Sequence, residues 1–264
     1  FKSKYFVQAN ARADGSSKFH EDYRWGVFPS VSLGWVMSNE GFMESLDGPL
    51  SFLKLRASYG SLGNDRLGNY LYVAALGFEN ALISQGSSSQ AVKTAALQKL
   101  AIQDITWETT TTLNFGADAN FFKDKLSLNA DYFIKETTDM LLDLNVPDLI
   151  GYGDPRYNVG SMDTKGWEVQ AGWRDQISEF NYSVSFNIYD SKSVIGNIND
   201  KEIFSGNTIS REGLEYRTWY GLQSDGIFQT QEEVDNSPKT SSAIKPGDIK
   251  YKDISGPDGV PDGI

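Results

Sequence analysis

Cysteine is absent from this 264-residue sequence, and histidine occurs once, at His20. Those shortages exclude disulfides, thiolate zinc sites, cysteine nucleophiles and multi-histidine metal centres. A Ser-His-Asp triad would have to use His20, which sits in the polar stretch Lys18-Phe19-His20-Glu21-Asp22 and reads as a solvated loop residue. Basic charge is also short: 24 Lys+Arg against 35 Asp+Glu give a net charge of −11. That is the wrong sign for a surface that grips nucleic-acid phosphates. No run approaches the roughly 18 consecutive apolar residues of a membrane-crossing helix. The opening Phe1-Lys2-Ser3-Lys4-Tyr5 reads as the start of a strand pattern rather than a signal peptide. The mean hydropathy of −0.40 does not exclude spanning β-strands, because only every second residue of such a strand is apolar.

What is present is a long-range alternation. Tyr5, Val7, Ala9, Ala11 and Ala13 alternate with Gln8, Asn10, Arg12 and Asp14. The pattern returns at Val27–Met37, Leu53–Tyr59, Leu113–Phe121, Leu126–Ile134, Trp167–Trp173 and Phe180–Ile188. Successive side chains of a strand point to opposite faces, so each segment has one apolar and one polar face. The apolar rows carry no charge, while the polar rows hold Arg12, Lys54, Arg56, Asp118, Asp131, Lys135, Glu168 and Arg174. A soluble sandwich alternates too. Three features favour a membrane barrel. The runs often reach 9 to 12 residues, where a tilted spanning strand needs about 9–11 and a soluble strand averages about 5–6. The apolar rows mix alanine with bulky aromatics, which lipid tolerates more readily than a close-packed core. Trp35, Tyr59, Phe121, Trp167, Trp173, Phe180 and Tyr182 fall towards strand ends, where aromatic girdles meet the membrane interface.

The connections alternate in length as well. Phe122-Lys123-Asp124 and Arg174–Glu179 are short, whereas Gly63–Thr106, Asp143–Tyr157 and the chain from Ser193 are long. Outer-membrane barrels have short periplasmic turns and long extracellular loops. Asp14–Arg24, Gly63–Thr106, Asp143–Tyr157 and 193–264 are therefore placed outside. Ser38–Ser51, Phe122–Asp124 and Arg174–Glu179 are placed inside, with a helical turn expected over Glu40–Leu46. Ser84–Gln90 reads as a flexible loop tip and Val92–Ala101 as a short helix. The expected fold is all-β: an antiparallel transmembrane β-barrel, with seven or more strands in residues 1–192 and a long extracellular loop region in 193–264. Seven strands do not close a useful pore, so the sequence is expected to be a portion of a longer chain.

The ordered motifs Asp14-Gly15-Ser16-Ser17, Gly26–Trp35, Leu53–Gly60 and Trp107-Glu108-Thr109-Thr110 resemble those of the SusC/RagA-type TonB-dependent transporters of Bacteroidetes. Arg12-Ala13-Asp14-Gly15-Ser16-Ser17-Lys18-Phe19 is similar to the family's RxDGSSxF, and Gly26–Trp35 to its GxFPSxSxGW. Leu53–Gly60 with Gly63-Asn64 resembles LKLRxSYGxxGN, and Trp107-Glu108-Thr109-Thr110 resembles WExT. Asn158-Val159-Gly160 and Gly166-Trp167-Glu168, then Asp225–Phe228 and Pro246–Asp253, follow in family order. The resemblance implies a 22-stranded outer-membrane barrel plugged by an N-terminal domain, coupled to the TonB complex through that N-terminal part. It implies a SusD-like surface lipoprotein as a lid, and import of oligosaccharides or peptides. No enzymatic step is implied. A soluble β-rich glycan-binding module and a porin without energy coupling are the rival readings.

Binding then rests on polar and aromatic groups of the lumen and outer loops. Tyr216, Trp219 and Tyr220 are the candidate stacking aromatics, and Arg12 and Arg56 the candidate substrate-binding charges of the lumen. The bland alternatives are packing within the loop and solvated wall charge. Asp253, Asp258 and Asp262 lie in an acidic glycine-rich loop with oxygen ligands suited to Ca²⁺. That loop lacks the EF-hand order and has Ile264 where the bidentate glutamate would stand, so a tight-turn loop is the competing reading. No other cofactor is expected.

Overall fold

The computed structural model describes the chain apart from residues 47–48, 86–87, 100, 144–148, 150–154, 238–240 and 255–264. Seven long strands form one antiparallel sheet. They are β1 (Tyr5–Gly15), β2 (Trp25–Val36), β3 (Leu50–Asn64), β6 (Glu108–Phe121), β7 (Leu126–Asp143), β8 (Arg156–Ile177) and β9 (Phe180–Ile195). Between β3 and β6 the chain makes a separate hairpin, β4 (Ala75–Gln85) with β5 (Ser88–Lys99). The expected helix over Val92–Ala101 is not formed. Val92 pairs with Ala81 and Leu97 with Leu76, and the ladder to β4 supplies the backbone hydrogen bonds a helix would have made internally. The expected loose tip at Ser84–Gln90 is paired up to Gln85 and Ser88, and Gly86 and Ser87 lie outside the described residues. On the other side, Gly41–Leu46 forms the expected helical turn, as a 3-10 helix.

The register explains why these sequences alternate in phase. The odd-numbered apolar residues of β1 face those of β2: Tyr5 against Trp35, Val7 against Leu33, Ala9 against Val31. The match persists through Leu33–Ala57, Ala57–Phe115, Leu128–Ala171 and Ala171–Phe186. One whole face of the sheet is therefore apolar. No second sheet or helix among the described residues covers it: Val7 is 73% exposed and Val184 65%.

The apolar band crosses the strands obliquely. On β1 it is centred on Ala9 and on β9 on Val184. The hydrogen-bonded row through Ala9 runs by way of Val31, Tyr59, Leu113, Ile134 and Lys165 to Lys192, eight residues beyond Val184. At about 3.4 Å per residue and about 4.8 Å per strand, that offset over six strand steps gives a slant of about 43°. A membrane barrel tilts its strands by about 35–45°.

Strand lengths differ by end. The turns after β6 and β8 are tight, with Phe122, Lys123, Asp124 and Ser178 in the left-handed region. Beside these turns aromatic rings collect. Phe122 lies 6.3 Å from Phe121 and 6.4 Å from Trp173, and Trp35 lies 6.4 Å from Phe42. At the opposite end β7 and β8 extend well past the apolar band, with lengths of 18 and 22 residues.

The chain divides into two compact units. The first holds the seven-stranded sheet and residues 211–216; Tyr216 donates its backbone N–H to Ser193 there. The second holds 202–210 and 217–264. It contains a small sheet of β10 (Ile203–Ser205), β11 (Thr208–Ser210) and β12 (Thr218–Trp219). It also contains β13 (Ser224–Ile227) paired with β14 (Ile249–Tyr251), and the short helix α1 (Gln231–Asp235). Thr230 caps α1 by accepting from Glu233 N; Val234 of the helix is buried, as is Phe228 before it.

Candidate functional site

The face of the sheet opposite the apolar one carries the polar chemistry. At its centre Arg56 of β3 makes a double fork. Its Nε and Nη2 donate to Asp118 at 2.8 and 2.9 Å, and its Nη1 and Nη2 donate to Asp131 at 3.0 and 2.9 Å. Such paired, charge-assisted bonds fix geometry as well as charge. The sequence permits this because Gly116 stands between Arg56 and Asp131 in the ladder: a Cβ there would meet Arg56 Cζ at 2.6 Å and Asp131 Oδ1 at 2.6 Å. Asn129 completes the cluster, its amide oriented to donate to Asp118 Oδ1 at 3.3 Å. Four of the five guanidinium N–H groups are thereby engaged, and the cluster ties β3, β6 and β7 into one wall.

The end of the sheet that carries the long connections holds a buried core. Phe19, Phe28, Leu67, Ile102, Ile105 and Trp107 are buried together, and Phe19 is 0% exposed. Phe19 and Phe28 pack on Trp107 with ring centroids at 5.2 and 5.5 Å. Gly26 and Gly63 make room: a Cβ on Gly63 would meet Phe28 Cζ at 2.0 Å. Polar bonds rivet the edge of the cluster. Ser16 donates to Asp65 at 2.9 Å, Lys18 Nζ to the Asp65 carbonyl at 2.8 Å, and Asn64 to Glu108 at 2.9 Å. Trp107 Nε1 donates to the Arg24 carbonyl at 3.2 Å. Asn158 accepts from Thr106 N and donates to the Thr106 and Asp139 carbonyls. Residues separated by up to 142 positions, Ser16 to Asn158, thus fasten the long connections to one another.

At the opposite end one carboxylate gathers the girdle. Glu40 accepts from Tyr5 Oη at 2.6 Å, Lys4 Nζ at 2.9 Å and Trp35 Nε1 at 3.1 Å. These bonds, led by the one from Tyr5, lower the Glu40 pKa from 4.5 to about 2. After β9 the Glu212 carboxylate is likewise held below its usual range, first by the backbone N–H of Ile198 and then by that of Asp200.

Comparison with known proteins decides the family. The sequence profile described as "TonB dependent receptor-like, beta-barrel" matches residues 1–252. The chain belongs to the TonB-dependent receptor β-barrel family. TonB-dependent receptor P39 of Formosa agariphila is 36% identical over 234 residues, covering 88% of this chain and 22% of that protein. TonB-dependent receptor SusC of Bacteroides thetaiotaomicron is 29% identical over 247 residues, covering 89% of this chain and 24% of SusC. The solved RagAB peptide transporter matches with a TM-score of 0.75 and 27% identity, covering 87% of this chain and 25% of that one. The chain therefore spans about a quarter of the length of these relatives, and the SusC/RagA resemblance read from its motifs holds.

Within that family frame the expected site residues fall in different places. Arg12 is exposed on the polar face and pairs with Asp14 at 2.6 Å. Arg56 is built into the wall cluster. Tyr216 belongs to the first unit, while Trp219 and Tyr220 belong to the second. Trp219, on β12, is 82% exposed, and Tyr220 meets Phe204 edge-on at 5.4 Å. Asp253 lies at the end of the described chain, and Asp258 and Asp262 lie outside the described residues. Among the described residues no group of three or more acidic or histidine side chains is placed to hold a metal ion.

Sequence reasoning missed two parts of this arrangement. Asp65, Trp107 and Asn158 were recognised as motif or loop residues, not as members of one cluster. The pairing of Glu40 with Lys4, Tyr5 and Trp35 has no short-range signature except Trp35-to-Glu40 spacing, because Lys4 and Tyr5 come from another strand end.

Proposed function

We propose that the protein containing this chain imports nutrient oligomers across the outer membrane in a TonB-dependent way, with a SusD-like surface lipoprotein as its outer partner. The observation that carries this reading is the seven-strand register, which lines up an uncovered apolar face against lipid and a polar face towards water. A soluble glycan-binding module would need to bury those rows. The similarity to SusC and to the RagAB peptide transporter supports the choice of transport over a passive pore. The cargo class follows as oligosaccharide or peptide, with exposed Trp219 and Tyr220 as stacking groups of the outer loops.

The test is uptake by cells carrying the full-length protein, using fluorescently labelled oligosaccharides and peptides, with and without functional TonB. Import of one class that stops when TonB is lost is the expected result. Import that persists without TonB would leave the porin reading in its place. Co-purification of a surface lipoprotein with the full-length transporter checks the partner, and loss of uptake in Trp219→Ala checks the stacking role.

A further inference from the structure

The inner wall contains a cavity of about 500 Å³ whose charge is opposite to that of the chain as a whole. The net charge is −11, yet the side chains around this hollow include Lys54 and Arg56 and no carboxylate. The acids that neutralise Arg56, Asp118 and Asp131, do not line it. Their bonds to the guanidinium commit them to the β6 and β7 side of the wall.

Lys54 is held ready there. Its stem crosses Gly34, where an added Cβ would meet Lys54 Cε at 3.1 Å. Its ammonium lies 5.4 Å from the centroid of the Phe6 ring. A ring face attracts a cation by about 0.5–1 kcal/mol at exposed sites, far less than a paired anion supplies. Asp118 stands directly opposite Lys54 in the ladder but gives both oxygens to Arg56. The hollow is also lined by the uncharged hydrogen-bonding residues Gln8, Ser58 and Asn114. One positioned cation, an aromatic face and neutral amides and hydroxyls together fit an acidic group carried on a polar oligomer.

We propose that this hollow is an anion subsite of the lumen, in which Lys54 binds a carboxylate or a sulfate and Phe6 packs against the ring or chain that bears it. The inference deepens the transport reading when the acid belongs to the cargo. The same chemistry can also be supplied by an acidic side chain from another part of the transporter. Binding to purified protein is measured separately from uptake, so failure of one leaves the other standing.

The experiment uses the full-length transporter purified in detergent, with trigalacturonate as the acidic probe and maltotriose as the neutral one. A structure without probe and one with trigalacturonate distinguish the sources. A protein carboxylate on Lys54 in the first assigns the subsite to the transporter itself. A probe carboxylate on Lys54 in the second alone assigns it to cargo. In the cargo case Lys54→Met weakens trigalacturonate binding by about tenfold or more, as expected when a charge-assisted bond is removed, and leaves maltotriose unchanged. In the internal case Lys54→Met leaves both probes unchanged but displaces the protein carboxylate in the structure. Lys54→Arg keeps the charge and retains most of the binding, which separates charge loss from misfolding. A Lys54 ammonium that meets no carboxylate in either structure overturns the proposal.

Discussion

The long-loop end of the sheet and its middle are stabilised by opposite means. At the long-loop end, Phe19, Phe28, Ile105 and Trp107 exclude water within the protein itself. In the middle, the apolar side chains are exposed and touch no second layer among the described residues, and the polar ones are tied by Arg56 to Asp118 and Asp131. One region is an ordinary core in miniature. The other is complete only when hydrocarbon covers it. A single strand such as β3 serves both, with Leu55 in the lipid-facing row and Gly63 under Phe28.

The comparison can be broken by substitutions in the full-length transporter, with stability read by denaturant unfolding from lipid vesicles. The largest effect is expected at the outer core. Trp107→Ala removes the ring shared by Phe19 and Phe28 and should cost about 3–5 kcal/mol. An equal loss in detergent and in lipid is expected, since this core does not use the bilayer. Next comes the lipid face: Ala130→Arg should cost about 2–4 kcal/mol if it lies near the bilayer centre, whereas Gln170→Arg, on the polar face of the adjoining strand, should cost far less. Equal penalties at the two positions would refute the assignment of faces.

A smaller loss is expected in the wall. Arg56→Ala strands Asp118 beside Asp131 and should cost about 1–2 kcal/mol, reduced because the three side chains stay partly exposed. Arg56→Lys should recover only part of it, since an ammonium cannot fork to two carboxylates. Asp118→Asn in the Arg56→Ala background should be less harmful than in the wild type, which is the sign of a shared interaction.

The smallest effect is a pH dependence at the girdle. The Glu40 carboxylate is held at about 2, below its ordinary 4.5. A depressed folded-state pKa gives stability that is present above about pH 4.5 and is lost as pH falls towards 2. Glu40→Gln should therefore differ from wild type most at neutral pH, and the two unfolding curves should converge as acid is added. A difference that grows on acidification would contradict the bonding described for Tyr5, Lys4 and Trp35.

The sheet was legible because its signal is local and repeated. The strict two-residue alternation in β1, β2, β6 and β7 assigned faces, and the short turns fixed which ends lie together. The β4–β5 hairpin was less legible. Val92-Lys93-Thr94-Ala95-Ala96-Leu97 has helix formers mixed with β-branched residues, and only pairing with Ala75–Gln85 decides between them. The lumen charges were recognised singly, yet nothing in the sequence says that Gly116 would let Arg56 reach two acids at once. The outer core escaped for the same reason: Phe19, Leu67, Ile105 and Trp107 are scattered through loops, where no periodicity marks a residue as buried.

The slanted apolar band gives the bilayer a part in choosing strand alignment. A strand that slips by two residues keeps its inward and outward faces, so side-chain alternation alone does not forbid the slip. It would nevertheless carry its greasy segment about 7 Å along the strand, against a hydrocarbon-facing belt about 25 Å tall. Part of that segment would enter the headgroups while a charged neighbour such as Asp190 or Lys165 approached the oil. Membrane thickness thus acts as a ruler that selects one alignment from several that share the same two-faced pattern.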